Sequence, residues 1–539
     1  MDWQPFFPHQ APREHQQKAI DFALDKFLSE EKKIVVIEAG TGVGKSAVGY
    51  TLGRVLAHSG PINENYESGT YFLTTQKILQ EQYVKDFGIP QGNMSSVQSS
   101  TNYQCKYHKK NSCSESLRTL KTAQKDSSFF RTCVFNCTYK NAKEAFLKSK
   151  ESVTNFPYFL AETTYAGKIK PRQFLVIDEA HNIDNELSKF IEISVSDRFC
   201  KQILKLELPK LNTQVQAWKW INEIYAPKLF SHFKYMEKML ERLVGTEEKL
   251  QEFVKIAKQF EILDKYNCKL RRFIDVYQKE NWVFNFIEST DRTGAKIEFK
   301  PIDIAPFAKQ MLFRFGERVL MMSATILNKS GFCELLGLDE EDVSFISLPS
   351  PFPKEHRPVI SEGIGSMSAA NIQATLPNLG RAVKEILKGH KGEKGIIHCH
   401  TFRVAKFLHN FLNDKRILIH NSQNRNIILE RHMKSKKPTV LLSPSMTEGV
   451  DLSDDSSRFQ IICKVPFPYL GDKLIRKKMH KWKWWYPYQT TKTIVQASGR
   501  SIRSENDSAI TYILDSDFTK FFQRHGNLFP VSFTECIVE

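Results

Sequence analysis

Short apolar runs alternate with helical patterns along most of the chain. The first run, Lys33–Glu38, is rich in β-branched residues and ends at a glycine-rich turn, after which a helical pattern starts at Lys45. That order of strand, turn and helix is how an α/β domain opens. Because helical patterns separate many of the runs, they predict parallel sheets covered by helices. The later runs are Thr70–Thr74, Phe174–Ile177, Val319–Met322, Gly395–His398, Thr439–Leu442, Phe459–Val465 and Ala509–Leu514.

Two stretches interrupt this alternation. Residues 105–137 are polar, basic and rich in cysteine, whereas residues 187–300 follow a helical pattern and contain no proline between Pro227 and Pro301. In the second stretch apolar residues recur at the spacing of a buried helix face, at Leu250, Phe253, Val254 and Ala257. We therefore expect two insertions in the α/β framework, the second one helical. The proline-rich segment Leu348–Pro358 is expected to be an exposed connector between two α/β domains.

The composition of the chain indicates its cellular compartment and the class of its binding partner. The 539 residues carry a formal net charge of +17, which suits a polyanion such as nucleic acid, although a merely soluble basic protein remains an alternative. Ten cysteines are too few for a disulfide scaffold. No apolar run is long enough to span a bilayer, and the N-terminus lacks the pattern of a secretory signal. We expect a protein of a reducing interior with no membrane partner.

The glycine-rich turn has the sequence of a phosphate-binding loop. It reads Glu38-Ala39-Gly40-Thr41-Gly42-Val43-Gly44-Lys45-Ser46. Glycines let backbone N–H groups turn inward around phosphates, Lys45 can reach the terminal phosphates, and Ser46 offers a hydroxyl to Mg²⁺. The strict pattern begins with glycine, where this chain has Ala39. A structural glycine turn is the alternative, but the strand before the loop and the helix after it favour an ATP site.

Two adjacent carboxylates follow the apolar run at Phe174–Ile177, where the chain reads F-L-V-I-D-E-A-H. Asp178 is expected to hold Mg²⁺ through water. Glu179 is expected to orient and polarise the attacking water, since phosphoryl transfer needs positioning and charge more than covalent help. Alone, these residues could end an ordinary strand. After a phosphate-binding loop, they predict the second half of an ATPase site.

Further motifs resemble those of superfamily 2 helicases, in the same order. Asp178-Glu179-Ala180-His181 resembles the DEAH box of that superfamily. The resemblance implies that Gln16, with Arg13, binds the adenine, that Thr74-Thr75 touch the nucleic-acid backbone, and that Ser323–Thr325 couple the ATP state to domain movement. The matching segments are Arg13-Glu14-His15-Gln16, Thr74-Thr75, Ser323-Ala324-Thr325, Glu448-Gly449-Val450-Asp451 and Gln496-Ala497-Ser498-Gly499-Arg500-Ser501-Ile502-Arg503.

The last of these segments supplies guanidinium groups for catalysis. Such groups can reach across an interdomain cleft and stabilise charge on the transferring phosphoryl group. Arg503 is the expected arginine finger, with Arg500 beside it, and a solvated basic helix is the alternative. The predicted catalytic residues are Lys45, Asp178, Glu179, Gln496, Arg500 and Arg503. The predicted nucleotide-binding residues are Arg13, Gln16, Gly40, Thr41, Gly42, Gly44, Lys45, Ser46 and Asp451, with Ser46 and Asp178 at Mg²⁺.

Four of the ten cysteines, Cys105, Cys113, Cys133 and Cys137, lie in the first insertion with the spacing C-x7-C-x19-C-x3-C. Clustered thiolates in a reducing compartment favour a metal centre, and this spacing alone suits zinc or an iron–sulfur cluster. The position of the insertion, between Thr74-Thr75 and the DEAH box, resembles that of the XPD/DinG family of superfamily 2. The resemblance implies a 4Fe–4S cluster held by the four cysteines, and an arch domain after the DEAH box.

The resemblance extends over nearly the whole chain and implies a division into domains. Two RecA-like P-loop domains are expected, with an inserted iron–sulfur cluster domain and a helical arch domain. The expected ranges are 1–104, 138–186 and 301–347 for the first motor domain, 105–137 for the cluster domain, 187–300 for the arch, and 348–539 for the second motor domain.

The predicted function is that of an ATP-dependent DNA helicase. The family resemblance implies 5′–3′ movement on single-stranded DNA, and forked DNA is an expected further partner. We expect a monomer, located in the nucleoid-containing cytoplasm of a prokaryote or in a virus-infected cell, or in the nucleus of a eukaryote. The basic, tryptophan-containing segment Lys473–Trp485 would bind a single strand or, alternatively, pack its tryptophans inward. A translocase that removes proteins without separating strands remains an alternative. A non-motor scaffold is disfavoured by the intact ATPase residues.

Overall fold

The computed structural model describes residues 2–40, 42–88, 94–120, 123–243, 250–290, 294–421, 423–444, 452, 454–499, 501–502 and 507–538. Its strands are β1 Ile34–Ala39, β2 Glu67–Thr74, β3 Met94–Ser96, β4 Glu151–Asn155, β5 Arg172–Asp178, β6 Ile193–Ser196, β7 Trp282–Ile287, β8 Lys296–Pro301, β9 Gly316–Ser323, β10 Val343–Leu348, β11 Val359–Ser361, β12 Gly395–His398, β13 Ile417–Ile419, β14 Val440–Ser443, β15 Phe459–Ile462, β16 Ile510–Ile513 and β17 Ile537–Val538.

Helices connect and cover these strands. They are α1 Glu14–Leu24, α2 Lys45–Ser59, α3 Lys77–Tyr83, α4 Cys113–Thr119, α5 Ser128–Phe135, α6 Thr138–Lys148, α7 Phe156–Ala161, α8 Ile183–Ile191, α9 Asp197–Phe199, α10 Gln214–Trp220, α11 Ala226–Leu243, α12 Leu250–Val276, α13 Ala305–Met311, α14 Lys329–Leu336, α15 Ile372–Gly389, α16 Phe402–Leu412, α17 Arg425–Lys434, α18 Lys473–Lys481, α19 Trp485–Ser498, α20 Asp517–His525 and α21 Val531–Thr534.

Two parallel sheets form the framework. Among the described residues each has seven strands, in the order β10-β1-β9-β5-β2-β4-β3 in the first and β13-β14-β12-β15-β16-β11-β17 in the second. Every residue of β1 and β5 is buried, as expected for central strands covered on both faces. All eight apolar runs singled out in the sequence form strands, and the predicted α/β fold with two motor sheets is confirmed.

The hydrophobic core lies on both faces of the first sheet. One cluster of buried side chains packs α1 and α2 against one face, around Phe27, Tyr50 and Phe174. The cluster on the other face continues without a break into the second insertion, where it includes Trp220, Leu229 and Trp282. The second insertion is therefore joined to the first sheet by shared core, which restricts its independent movement.

The stretch 187–300 is only partly helical. It contains α10, α11 and α12, but an antiparallel sheet in the order β6-β8-β7 lies at its base. The prediction of a helical insertion was thus incomplete. In β8, buried and partly exposed residues alternate along Lys296–Pro301, a period of two that indicates a strand rather than a helix.

The connector Leu348–Pro358 is less exposed than the sequence indicates. Leu348 ends β10 and is buried, and Phe352 is buried against Ile502 and Ala509. The Phe352 ring also lies directly on Gly42, where an added Cβ would come within 2.0 Å of the ring. This proline-rich segment is therefore an interdomain contact as well as a connector.

No helix in the described residues is both long and apolar enough to cross a membrane.

A buried guanidinium stabilises one end of the first sheet. Arg172, 2% exposed, donates to Ser152 Oγ at 2.8 Å and to the Leu147 carbonyl at 2.9 Å, and lies 4.1 Å from the centre of the Tyr71 ring. We predict that Arg172→Met lowers the free energy of unfolding by about 2–4 kcal/mol, because buried acceptors lose their donor. Urea titration followed by circular dichroism measures this change. The exposed Lys170→Met is the control, and equal effects of the two substitutions would contradict the prediction.

Candidate active site

Three neighbouring strands bring the predicted ATPase motifs together. In the first sheet β9 lies between β1 and β5, and its register pairs Ser323 with Glu38 on one side and Met322 with Asp178 on the other. The carboxyl ends of parallel strands meet at one edge of a sheet, where ligands bind in open α/β folds. The phosphate-binding loop, the DEAH box and Ser323–Thr325 therefore lie side by side.

The phosphate-binding loop turns through two left-handed glycines. Gly42 and Gly44 have φ values of 83° and 82°, a region that residues with a Cβ rarely adopt. Gly44 is also the residue immediately before α2, so the loop ends at the N-terminus of a helix. Inward-facing backbone N–H groups at such a terminus form an anion site suited to phosphate.

Side chains from two directions contact this loop. The Lys45 ammonium donates to the Ala39 carbonyl at 2.9 Å and to the Gly40 carbonyl at 3.3 Å, so it lies across the loop. From the start of α1, Arg13 donates to the Gly42 carbonyl at 2.5 Å, and Gln16 donates to the Gly44 carbonyl at 3.4 Å. The Arg13 and Gln16 side chains thus lie at the phosphate-binding loop, next to Lys45 and Ser46.

The two carboxylates of the DEAH box differ in environment. Asp178 is buried, and burial, reinforced by repulsion from Glu179 and opposed by Lys45, raises its pKa to about 6. Asp178 Oδ1 accepts the Glu179 backbone N–H at 2.9 Å, and Oδ2 accepts the Tyr83 hydroxyl at 3.1 Å. Glu179 is half-buried and has a left-handed backbone, with φ of 54°. That conformation costs a non-glycine residue about 1–2 kcal/mol.

A hydrogen-bonded network joins the two motor domains at the DEAH histidine. Gln496, on α19 of the second domain, donates its amide to His181 Nε2 at 2.8 Å and to Thr325 Oγ1 at 3.0 Å. Because His181 Nε2 accepts, Nδ1 carries the proton and donates to Ser323 Oγ at 2.8 Å. Ser323 Oγ also accepts the Thr325 backbone N–H at 3.1 Å. One glutamine of the second domain therefore contacts both the DEAH box and the Ser323–Thr325 motif.

Glu38 has a role that motif reading missed. This carboxylate, 6% exposed, accepts the backbone N–H groups of Ile326 and Leu327 at 2.6 Å each and the Ser347 hydroxyl at 2.9 Å. Leu327 has a left-handed backbone, with φ of 62°. Glu38 thus fixes the turn that follows Ser323–Thr325 to the strand that leads into the phosphate-binding loop. A buried strand ending in glutamate was the available sequence signal.

Several predicted positions lie apart from this site or outside the described residues. Thr41, Asp451, Arg500 and Arg503 lie outside the described residues, as do Glu448–Val450. Thr74 is buried, and its hydroxyl donates to the Gln76 carbonyl, whereas Thr75 is partly exposed. Of the two threonines predicted to contact the nucleic-acid backbone, only Thr75 therefore has an accessible side chain.

The four cysteines of the first insertion lie close together and are buried. Cys113 begins α4, Cys133 lies in α5, and Cys137 immediately precedes α6. Cys113 Sγ lies 3.2 Å from Cys137 Sγ, and Cys105 Sγ accepts the His108 backbone N–H at 3.3 Å. Burial and the neighbouring cysteines raise the pKa of Cys113 to about 12 and that of Cys133 to about 11.

This donor set fits an iron–sulfur cluster in kind, because its four members are thiols and such clusters bind four thiolates. A metal centre would offset the burial that keeps Cys113 and Cys133 protonated. Within the described residues, however, no three His, Cys, Asp or Glu side chains are arranged as ligands around one metal ion.

Comparisons with known proteins agree with this arrangement. A family model described as a helicase C-terminal domain matches residues 389–536, and one described as the res subunit of type III restriction enzymes matches residues 9–211. The ATP-dependent DNA helicase YoaA of Haemophilus influenzae is 20% identical over 440 residues, which cover 70% of this chain and 66% of that protein. The ATP-dependent DNA helicase DinG of Photobacterium profundum is 26% identical over 240 residues, or 41% of this chain and 34% of that protein.

Solved structures extend the likeness to the whole fold. An XPD helicase superimposes with a TM-score of 0.63 at 15% identity, and the alignment covers 98% of both chains. Xpd4 of S. tokodaii gives a TM-score of 0.58 at 14% identity, covering 97% of this chain and 99% of that one. Together these matches support an XPD/DinG-like helicase of superfamily 2. The matches span about two thirds of the length of YoaA and about one third of that of DinG.

The basic, tryptophan-containing segment Lys473–Trp485 forms a contact between domains. Trp482 and Trp485 are buried, and the Trp484 ring packs on Gly331. On α18, Lys478 forms an ion pair with Asp184 at 2.8 Å, and Lys481 forms one with Asp303 at 2.5 Å. Inward packing of the tryptophans, the second of the two readings of this segment, is therefore correct. These two lysines bind the first motor domain, and Lys473 on the same helix donates to the Phe284 carbonyl in β7 at 3.4 Å.

We predict that Gln496→Ala lowers kcat for DNA-stimulated ATP hydrolysis about 10- to 100-fold and leaves KM for ATP within about threefold. The substitution removes the contact between the second domain and His181 and leaves the phosphate-binding loop unchanged. A coupled ATPase assay measures both constants. Gln489→Ala, two turns earlier on the same helix and outside the network, is the control. A raised KM with an unchanged kcat would contradict the prediction.

Proposed function

We propose that this chain is an ATP-driven DNA motor that moves 5′ to 3′ on single-stranded DNA and unwinds duplexes. The observation that carries the proposal is the contact of Gln496 with His181 and Thr325, which links the second motor domain to the ATPase motifs of the first. A motor requires ATP hydrolysis to depend on domain closure, and this contact forms only when the two domains meet.

Each residue of the site has a defined task in this proposal. The phosphate-binding loop and Lys45 hold the β- and γ-phosphates, and Ser46 and Asp178 hold Mg²⁺, which when bound neutralises charge between the phosphates. Glu179, whose carboxylate is partly exposed and lies 3.3 Å from His181 Nδ1, would orient the attacking water. Arg13 and Gln16, at the loop, bind the nucleotide. Arg503, with Arg500 beside it, stabilises charge on the transferring phosphoryl group, and Asp451 completes the second domain's side of the cleft.

The cysteine region is proposed to hold a 4Fe–4S cluster through Cys105, Cys113, Cys133 and Cys137. Support comes from the burial of all four thiols and from two backbone N–H groups that face the sulfur atoms, that of His108 toward Cys105 and that of Tyr139 toward Cys113. Four short helical and loop segments with little other core would be fixed to one another by such a centre. Zinc is the alternative for the same thiols.

The single strand is proposed to pass through an opening framed by the arch, the cysteine region and the first motor domain. The contact between α12 of the arch and α4 of the cysteine region supports this path, because it closes one side of the frame. On the cysteine region Phe135 is 78% exposed, and in the second motor domain Tyr469 is 80% exposed. Exposed aromatic rings suit stacking on unpaired bases. The ranges 105–137 and 187–300 are accordingly assigned as cluster and arch domains.

Anaerobic strand separation on singly tailed and forked duplexes tests the proposal. We predict unwinding that requires ATP and a 5′ tail, and that is lost, by at least about 100-fold, in Lys45→Ala and Glu179→Gln, because charge positioning at the phosphates supplies much of the rate. Nucleotide binding separates the two variants: Glu179→Gln keeps the phosphate contacts and binds, whereas Lys45→Ala loses a cation at the phosphates.

Other outcomes identify the alternatives. Hydrolysis stimulated by single strands without unwinding from either tail, together with displacement of a protein from DNA, would favour a protein-removing translocase. Unwinding that requires a 3′ tail would contradict the proposed polarity. Equal activity on duplexes with and without a tail would contradict loading on a single strand. Light scattering during the same experiments tests the proposed monomer.

A second test addresses the cysteine centre. We predict that Cys113→Ser, purified anaerobically, loses most of its iron and the visible absorbance near 400 nm, as about four irons per chain are expected for a 4Fe–4S cluster. Iron and zinc are measured by mass spectrometry. Cys268→Ser, a partly exposed thiol in the arch, is the control and should retain the metal. Zinc without iron in the wild-type protein would indicate a zinc site in place of the proposed cluster. If Cys113→Ser retained the metal, the role of Cys113 as a ligand would be contradicted.

A further inference from the structure

Tyr83 reaches the predicted Mg²⁺ site from α3. Its hydroxyl donates to Asp178 Oδ2 at 3.1 Å, and its second polar neighbour is the Ser46 side chain. Ser46 follows the phosphate-binding loop, and Asp178 ends β5, so the two residues come from separate parts of the first motor domain. One phenol thus lies between the two side chains expected to hold the metal.

Packing fixes the position of this phenol. Tyr83 is 2% exposed, and its ring packs against Phe87 with centroids 5.6 Å apart and against Phe72 with centroids 5.7 Å apart. Phe87 in turn stacks on Tyr50 at 4.5 Å. A ring enclosed in this way cannot change rotamer without opening the core. The hydroxyl is therefore held at the edge of the sheet.

With the Tyr83 hydroxyl, each oxygen of the Asp178 carboxylate accepts one hydrogen bond. The Glu179 backbone N–H donates to one oxygen, and the Tyr83 hydroxyl donates to the other. A buried carboxylate with one donor on each oxygen has a fixed plane, and the remaining lone pairs have fixed directions. Tyr83→Phe would leave Asp178 Oδ2 without this hydrogen-bond donor and would remove a polar neighbour of the Ser46 side chain.

We propose that Tyr83 is a positioning residue that aligns Ser46 and Asp178 for Mg²⁺ and so sets the Mg²⁺ concentration at which the chain binds ATP. The inference rests on the proposed ATP site and adds to it a residue outside the helicase motifs. A tyrosine that served only to fill the core would need its ring and not its hydroxyl. Tyr83→Phe separates these two roles, since it removes the hydroxyl and keeps the ring.

Tyr50→Phe is the matched control. Tyr50 belongs to the same group of stacked rings, but its hydroxyl is directed toward Arg54 and Glu151, away from Asp178. Both substitutions remove one buried hydroxyl from the same part of the core. Only Tyr83→Phe removes a donor from a predicted Mg²⁺ residue. Thermal unfolding of both variants measures the shared effect on packing.

The experiment measures binding of a fluorescent, non-hydrolysable ATP analogue to the full chain at a series of Mg²⁺ concentrations. We expect Tyr83→Phe to raise the half-saturating Mg²⁺ concentration about tenfold, the effect of one hydrogen bond to a charged group. Tyr50→Phe should match the wild-type protein. At saturating Mg²⁺, analogue affinity and kcat of Tyr83→Phe should return to within about twofold of wild type, because metal in excess offsets poorer alignment.

The remaining outcomes overturn the proposal. An unchanged Mg²⁺ dependence of Tyr83→Phe would leave the hydroxyl without a role at the metal. Equal shifts in Tyr83→Phe and Tyr50→Phe would assign the effect to packing. If the wild-type chain bound the analogue equally well without Mg²⁺, the proposed metal site would be contradicted. If the wild-type chain did not bind the analogue at all, the proposed ATP site would be contradicted, and the role of Tyr83 with it.

Discussion

The register of three parallel strands is the constraint on which the candidate site depends. Since β9 pairs with β1 on one side and with β5 on the other, Ser323 lies opposite Glu38 and Met322 lies opposite Asp178. A shift of one residue in either pairing would reverse the side-chain direction of a whole strand. It would displace Asp178 from the phosphate-binding loop, and Glu38 could no longer bind the turn at Ile326 and Leu327.

Charge is distributed unevenly around this edge. Asp178 is buried beside a second carboxylate and has a raised pKa, and Lys45 is the nearby cation that opposes the increase. The opposing domain contributes a neutral amide, that of Gln496. Because this amide donates to His181 Nε2, the imidazole proton lies on Nδ1. Through Gln496 the network therefore transmits the position of the second domain by oriented dipoles. Such a contact can be broken and remade at little electrostatic cost.

The sequence predicted the parts of the site that are contiguous motifs. Asp178 ends a strand whose apolar pattern is clear, Glu179 follows it, and Lys45 begins the helix after a strand and a glycine-rich loop, so both the α/β fold and the family resemblance could be inferred from them. Tyr83 and Glu38 could not be assigned, because their partners lie 95 and 288 residues away and only the folded sheet brings them together. The strands β6, β7 and β8 were missed beside long helical patterns. For Lys473–Trp485, the same basic and aromatic composition suits DNA or a domain interface, and only burial distinguishes the two.

The ion pairs of α18 have a mechanical consequence. Lys478 binds Asp184 and Lys481 binds Asp303, both in the first motor domain, and α18 itself belongs to the second motor domain. Lys473, on the same helix, donates to the Phe284 carbonyl in the antiparallel sheet at 3.4 Å. The helix is thus a strut between three parts of the molecule. When the second motor domain rotates, it must either release these contacts or pull the antiparallel sheet with it. In the first case the two ion pairs act as a latch that determines when the domains separate, and in the second α18 acts as a lever that changes the width of the opening beneath the arch.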